Sequence, residues 1–241
     1  MSGPVVEVRD LSVRYATGVQ AVAGASFALG AGEAVALVGD SGSGKSTIAV
    51  ALLALSQYRG AQAGGSVRLE GRELLGLSER ELQSVRGAAI ALVPQDPLSA
   101  LNPVMRVGTQ MIEQIRAHES LSKREARERA GDLLEHVELP LARDRLAAYP
   151  FELSGGMRQR VAIAMALSCS PRALVADEPT SSLDMTVQAQ ILQLLRGVRD
   201  AGVALLVITH DRGVVGEVAD RVLAMEDGRV REETAPAEAT T

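Results

Sequence analysis

The chain has 241 residues, 46% hydrophobic and 23% charged, and 25 basic against 30 acidic side chains leave a net charge of -5. One cysteine, Cys169, excludes an internal disulfide or a cysteine metal cluster within one chain. Five aromatics and no basic surplus argue against a nucleic-acid partner.

No apolar run approaches the ~18–20 residues that span a bilayer, and the opening residues lack the basic start and apolar stretch of a signal peptide. A cytoplasmic, soluble chain with one large α/β domain is therefore expected. Cys169 lies in an apolar segment and reads as an inert core thiol.

Val6 and Val8 alternate with Glu7 and Arg9, and Leu11, Val13, Phe27 and Leu29 follow, which predicts a β-rich opening. Ala34 to Val38 is an unbroken apolar run of the kind found in buried parallel strands. It feeds directly into Gly39-Asp40-Ser41-Gly42-Ser43-Gly44-Lys45-Ser46-Thr47, a full match to the phosphate-loop pattern in its strand-to-helix setting. Glycines there let backbone N–H groups approach phosphates, Lys45 is placed to bridge the β- and γ-phosphates, and Ser46 to bind Mg²⁺. A helix is predicted over Ile48 to Leu55, and alternation over Ser66 to Glu70 extends the antiparallel part.

Ser78 with Glu81, and Ser122 with Glu125, have capping-box spacing, so helices are predicted to begin at both places, the first ending near Gly87. Asp96 to Leu153 is richer in charge and helix formers than its flanks and reads as a helical insertion. Leu153-Ser154-Gly155-Gly156-Met157 then opens an apolar helical segment, and its exposed N–H groups and helix dipole form a second anion cradle, this one without a lysine. Ala173 to Ala176 is a strand ending in Asp177-Glu178. Asp177 can hold Mg²⁺ through water and Glu178 can polarise an attacking water, although such a pair is as often a mere strand terminus. Val187, Ile191, Leu194, Leu195 and Val198 recur at helical spacing before a strand over Val203 to Ile208, an order that suggests parallel pairing. Arg221 to Met225 and a turn at Asp227-Gly228 end the fold, and 232–241 reads as a short disordered tail.

Two phosphate cradles in one chain, in this order, resemble the ATP-binding subunits of ABC transporters, where the signature loop of one subunit closes over ATP held by the other. The resemblance runs from Val5 to about Arg231. It implies an α/β fold: a P-loop NTPase core with a parallel sheet, an N-terminal antiparallel β-subdomain and an inserted helical subdomain at about 96–153. Asp177 stands 132 residues after Lys45 and 20 after Met157, as that pattern requires. The resemblance also implies roles for residues that say little alone. Gln95 matches the glutamine that ligates Mg²⁺ and reports the γ-phosphate to the helical insertion. His210, otherwise an unremarkable histidine after a strand, matches the switch histidine near the γ-phosphate and attacking water. Tyr15 matches the aromatic that stacks on adenine, and Ser181-Ser182-Leu183-Asp184 matches the loop coupling two ATP sites. The implied ligands are ATP and Mg²⁺. The implied partners are a second ATPase subunit, identical or related, two transmembrane permeases and an extracytoplasmic solute-binding protein, with this chain peripheral on the cytoplasmic face of the cell membrane.

Gln95 to Pro103 and Tyr149 to Met157, with methionine at 157 where glutamine is commoner, resemble the importer subfamily for dipeptides, oligopeptides and nickel. Many members carry a His-Pro-Tyr-Thr motif further on, which is not found here; that departure counts against the peptide assignment and leaves nickel, other metal chelates or another small solute open. A soluble ABC ATPase in iron–sulfur assembly shares every nucleotide motif and differs only after Gln95. Chromosome or translation ATPases of the class place long coiled coils or a second cassette around these motifs, whereas 58 residues separate Gln95 from Leu153 here. A kinase or GTPase of another P-loop class leaves Leu153 to Met157 without a purpose.

Overall fold

Residues 3–233 are described by a computed structural model. The alternating opening forms a hairpin of β1 (Val6–Tyr15) and β2 (Gln20–Leu29), and the apolar run is β3 (Ala34–Val38), buried at every residue. Helix α1 (Lys45–Leu52) follows the glycine loop. It stops short of Leu55 because Ala54 turns to a φ of 50°. Arg86 closes its end, donating from Nε to Leu53 O at 2.8 Å and from Nη2 to Ala54 O at 2.9 Å. These bonds satisfy carbonyls that a helix terminus leaves without intrahelical partners.

β4 (Ala61–Leu69) and β5 (Arg72–Glu73) complete the antiparallel sheet, whose order is β2-β1-β4-β5. Both capping boxes form, at Ser78 before α2 (Glu79–Gln83) and at Ser122 before α4 (Lys123–His136). α2 is shorter than the predicted span to Gly87, since the chain leaves it in turns that deliver β6 (Ile90–Val93). Between β6 and the second glycine loop lie α3 (Val107–His118), α4 and the single turn α5 (Ala142–Arg145). α6 (Gly155–Leu167) then leads to β7 (Ala173–Asp177), α7 (Met185–Asp200), β8 (Ala204–Thr209), α8 (Arg212–Val218), β9 (Arg221–Glu226) and β10 (Arg229–Glu233).

The second sheet has the order β10-β9-β3-β8-β7-β6, parallel throughout except for β10. Its central strands separate two cores. Leu174, Ala176, Leu205 and Val207 pack with the helical side, including Met111, Leu134 and Ile163. Their neighbours Val175, Leu206 and Ile208 join Leu11, Val13, Ile48 and Leu52 on the side of the antiparallel sheet. This period of two in strands with no exposed face is why β3, β7 and β8 read as continuous apolar runs. Each fully buried leucine or isoleucine contributes about 1.5–3 kcal/mol of transfer free energy.

Two expectations need correction. Glu232 and Glu233, read as tail, are the last residues of β10 and pair with Leu223 and Val222; residues 234–241 of that tail lie outside the described residues. Cys169 is half-buried, its Sγ 3.6 Å from Ser168 Oγ, because the helix ends at Leu167 and Ser170 turns the chain outward at a φ of 53°. Burial pushes its thiol pKa up. Among the described residues no helix is long and apolar enough to cross a membrane.

Candidate active site

The parallel strands β3, β6, β7 and β8 end on one rim, which is where ligands bind in open α/β sheets. Register fixes this: Val38 is paired with Thr209, Asp177 with Ile208 and Val93 with Ala176. The residues that follow those partners are the phosphate loop, Glu178, Gln95 and His210.

In the phosphate loop Gly42 and Gly44 adopt φ of 84° and 108°, values open to glycine. A side chain at Gly44 would overlap the Ala21 carbonyl oxygen and approach Met225 Cε to 2.7 Å. At Gly39 it would overlap the Met225 carbonyl oxygen. The loop is thus wedged against β2 and β9. Lys45 begins α1 and is 7% exposed. Its Nζ donates to Gly39 O and Asp40 O, both at 2.7 Å, so the ammonium is held inside the loop's own curve. Asp40, Ser41, Gly42 and Ser46 are exposed, with Ser43, Gly44 and Thr47 half-buried.

Asp177 is buried at the end of β7, and its Oδ1 has no hydrogen-bond partner. Burial raises its carboxyl pKa, the Ser46 hydroxyl lowers it, the Glu178 charge raises it and Lys45 lowers it. An orphaned carboxylate oxygen is costly unless a cation or donor takes it. With the Ser46 hydroxyl beside it and the Gln95 amide in the same cleft, the donors are all hard oxygens, which suits Mg²⁺. Among the described residues no group of three or more His, Cys, Asp or Glu side chains could hold a metal alone, so such an ion would also need ligands from a phosphate or water.

Glu178 sits at a φ of 48°, uncommon for a residue with a side chain, and its N–H donates to Ile208 O at 2.8 Å. That turn brings Oε1 to 2.8 Å from His210 Nδ1. A carboxylate only accepts, so Nδ1 donates this bond, and Nε2 lies on the side of the ring away from Glu178. The Glu178 side chain is 12% exposed while that of His210 is 65% exposed, so the pair reaches from the sheet edge into solvent.

These groups line one cleft of about 670 Å³ together with Tyr15, Val19 and Ala21. The Tyr15 hydroxyl lies 3.2 Å from Thr47 Oγ1. The structure thus gathers Tyr15, the loop from Asp40 to Thr47, Gln95, Glu178 and His210, with Asp177 behind them. Val19 was not singled out in the sequence; the only local hint is its place beside the Thr17-Gly18 turn.

Ser154, Gly155, Gly156 and Met157 do not line this cleft. Ser154 caps α6, its Oγ accepting from Met157 N at 3.3 Å. Ser154 and Gly155 are exposed, and the Met157 side chain packs half-buried on the helical core. Gly156 is required by packing: a Cβ there would meet Val187 Cγ1 of α7 at 2.6 Å. Gly155 instead shares a neighbouring cavity with Gln95, Glu178 and Ser181.

Comparison with known proteins agrees with this geometry. The ABC transporter family model matches residues 22–181. The oligopeptide transport ATP-binding protein OppD of Salmonella typhimurium is 50% identical over 232 residues, covering 95% of this chain and 69% of that protein. OppD of Bacillus subtilis is 46% identical over 233 residues, covering 95% and 65%. The ATP-binding cassette MJ0796, solved as a dimer in a post-hydrolysis state bound to ADP and Pi, superposes with a TM-score of 0.85 at 30% identity, covering 96% of this chain and 99% of that one. With a phosphate loop, a carboxylate pair and a histidine on one rim, and with these relatives, the chain belongs to the ABC transporter family as an ATP-binding cassette.

Proposed function

We propose that this chain is the ATP-hydrolysing subunit of an importer that takes up peptides through partner membrane permeases, seated on their cytoplasmic face. The observation that carries the reading is the convergence of Lys45, Gln95, Glu178 and His210 on one cleft beside the orphaned Asp177. Names of relatives half identical to this chain support peptide as the solute class over a metal chelate.

The triphosphate lies along the loop from Gly39 to Thr47, where backbone N–H groups and the N-terminus of α1 face its oxygens. Lys45 gives up its two carbonyl acceptors for the β- and γ-phosphates, an exchange of neutral partners for charged ones that favours binding. Ser46, Asp177 and Gln95 would hold Mg²⁺, which when bound would supply charge neutralisation to the triphosphate. Glu178 orients the attacking water and accepts its proton, and His210, fixed by that carboxylate, presents Nε2 toward the γ-phosphate. Ser154, Gly155, Gly156 and Met157 of a second ATPase subunit complete the site, since the N–H groups of Gly155 and Gly156 have no intrahelical acceptor. Closure moves the permeases through the segment from Asp96 to Pro103, and an extracytoplasmic binding protein delivers the solute.

The test is capture of Glu178→Gln in ATP from detergent-solubilised membranes, followed by mass spectrometry. Two polytopic permeases are expected in the complex. Soluble partners alone, with other membrane complexes surviving the same detergent, would overturn the transport role.

A further inference from the structure

We propose that a cavity beyond the C-terminus of α1 is a second ligand site, which takes a small neutral molecule with an apolar body and one hydroxyl group. The cavity has a volume of about 400 Å³, within the range of small-molecule pockets, and shares no lining residue with the nucleotide cleft. It lies where the chain leaves α1 at Ala54 and enters β4, with the approach to α2 as its other wall.

Ser56 is the polar group of this cavity that is out of water. The residue is 4% exposed, and its Oγ has no hydrogen-bond partner among the described residues. The carbonyls nearest to it along the chain already have donors. Arg86 donates to Leu53 O and Ala54 O, and Tyr58 N donates to Leu55 O at 3.1 Å. A buried hydroxyl left unpaired lowers the stability of the fold until something entering the cavity takes its bond.

The rest of the lining sets the class of ligand. Ala61 and Leu82 are buried and Leu75 and Leu77 half-buried, while Gln57 and Gln62 are exposed and keep their amides in water. No lining residue is charged, so an ion would leave water for a wall without a counter-charge. Water in the cavity would satisfy Ser56 but keep the leucine side chains wet. A neutral ring covers those side chains while its hydroxyl pairs with Ser56 Oγ, which donates or accepts as its partner requires. One orphaned group calls for one polar group on the ligand.

The test is a titration of the purified chain, with leucine methyls observed by NMR, using p-cresol and p-xylene. The two probes have one shape, and p-xylene carries a methyl in place of the hydroxyl. The methyl signals of Leu75, Leu77 and Leu82 should shift saturably with p-cresol, with a Kd of about 1 mM or tighter. Ser56→Ala should weaken p-cresol binding by about 2–10-fold and leave p-xylene within about twofold. The same variant should raise the nucleotide-free Tm, because the orphaned hydroxyl is gone, and should bind ATP as before. A lowered Tm would mean that the hydroxyl is paired in the empty fold, and overturns the inference. No saturable shift at these methyls, or a p-cresol affinity unchanged by Ser56→Ala, overturns it too. So does p-cresol binding that is lost when the chain joins its permeases, which would give the cavity to a permease segment.

Discussion

The two glycine loops of this chain each open a helix, one from a left-handed Gly44 and the other from the capping side chain of Ser154, and they need their glycines for different reasons. In the phosphate loop Gly42 and Gly44 supply backbone angles, and what blocks a side chain at Gly44 is above all a carbonyl of β2. In the second loop none of the glycines has a positive φ, and Gly156 is small so that α6 can lie against Val187 of α7. One loop is shaped by its backbone angles and by carbonyls of β2 and β9; the other is shaped by helix packing, with Ser154 and Gly155 facing outward. A run of glycines before a helix is thus ambiguous between a cradle and a close approach until its obstacle is known.

Assigning chemistry to the first rim alone predicts that Glu178→Gln lowers ATP turnover by about 10²–10⁴-fold at unchanged affinity. Steady-state hydrolysis beside calorimetric ATP titration measures both, and normal turnover would remove Glu178 as the base. Lys45→Ala should weaken ATP binding to the isolated chain by about a hundredfold, the worth of a charge-assisted contact. Ser154→Ala should leave that binding within about twofold while lowering the stability of α6 by ~1 kcal/mol through the lost cap. A similar affinity loss in both variants would erase the distinction between the loops.

The glycines themselves sharpen it further. Gly156→Ala should cost about 1–3 kcal/mol of stability. Adding Val187→Ala should recover part of it, a coupling above about 0.5 kcal/mol in a double-mutant cycle. No shortened side chain can rescue Gly44→Ala, because its obstacle includes backbone. The smallest effect concerns Asp177. Its folded pKa is raised, so between the ordinary carboxylate value and that raised value the folded state holds more protons than the unfolded one. Stability then falls as pH climbs through that window, and the cost is fully present above it. Asp177→Asn should raise the nucleotide-free Tm at pH 7 by on the order of 2 °C, with no gain near pH 3. A Tm that fell at both pH values would contradict an unpaired, desolvated carboxylate.

The phosphate loop, the carboxylates at the end of β7 and both capping boxes were legible because each is local: a spacing, a strand end or a reciprocal pair three residues apart. Contacts between distant segments were not. Nothing near Gly156 announces Val187, and nothing near Val19 places it across from Lys45. The pairing of His210 with Glu178 depends on β7 and β8 being neighbours and on the left-handed turn at Glu178. Helix ends failed where another segment decided them, as Arg86 does for α1, and Cys169 was misplaced because a left-handed turn at Ser170 outweighed its apolar neighbours.

The chain contains two lysines, Lys45 and Lys123. The first is buried with its ammonium spent on loop carbonyls, and the second is exposed at the start of α4. Amine-reactive reagents applied gently to the folded protein would therefore spare the active site and mark one side chain. With the less basic α-amine blocked first, a dye or surface linker placed at Lys123 would orient the molecule uniformly and leave Lys45 unmodified.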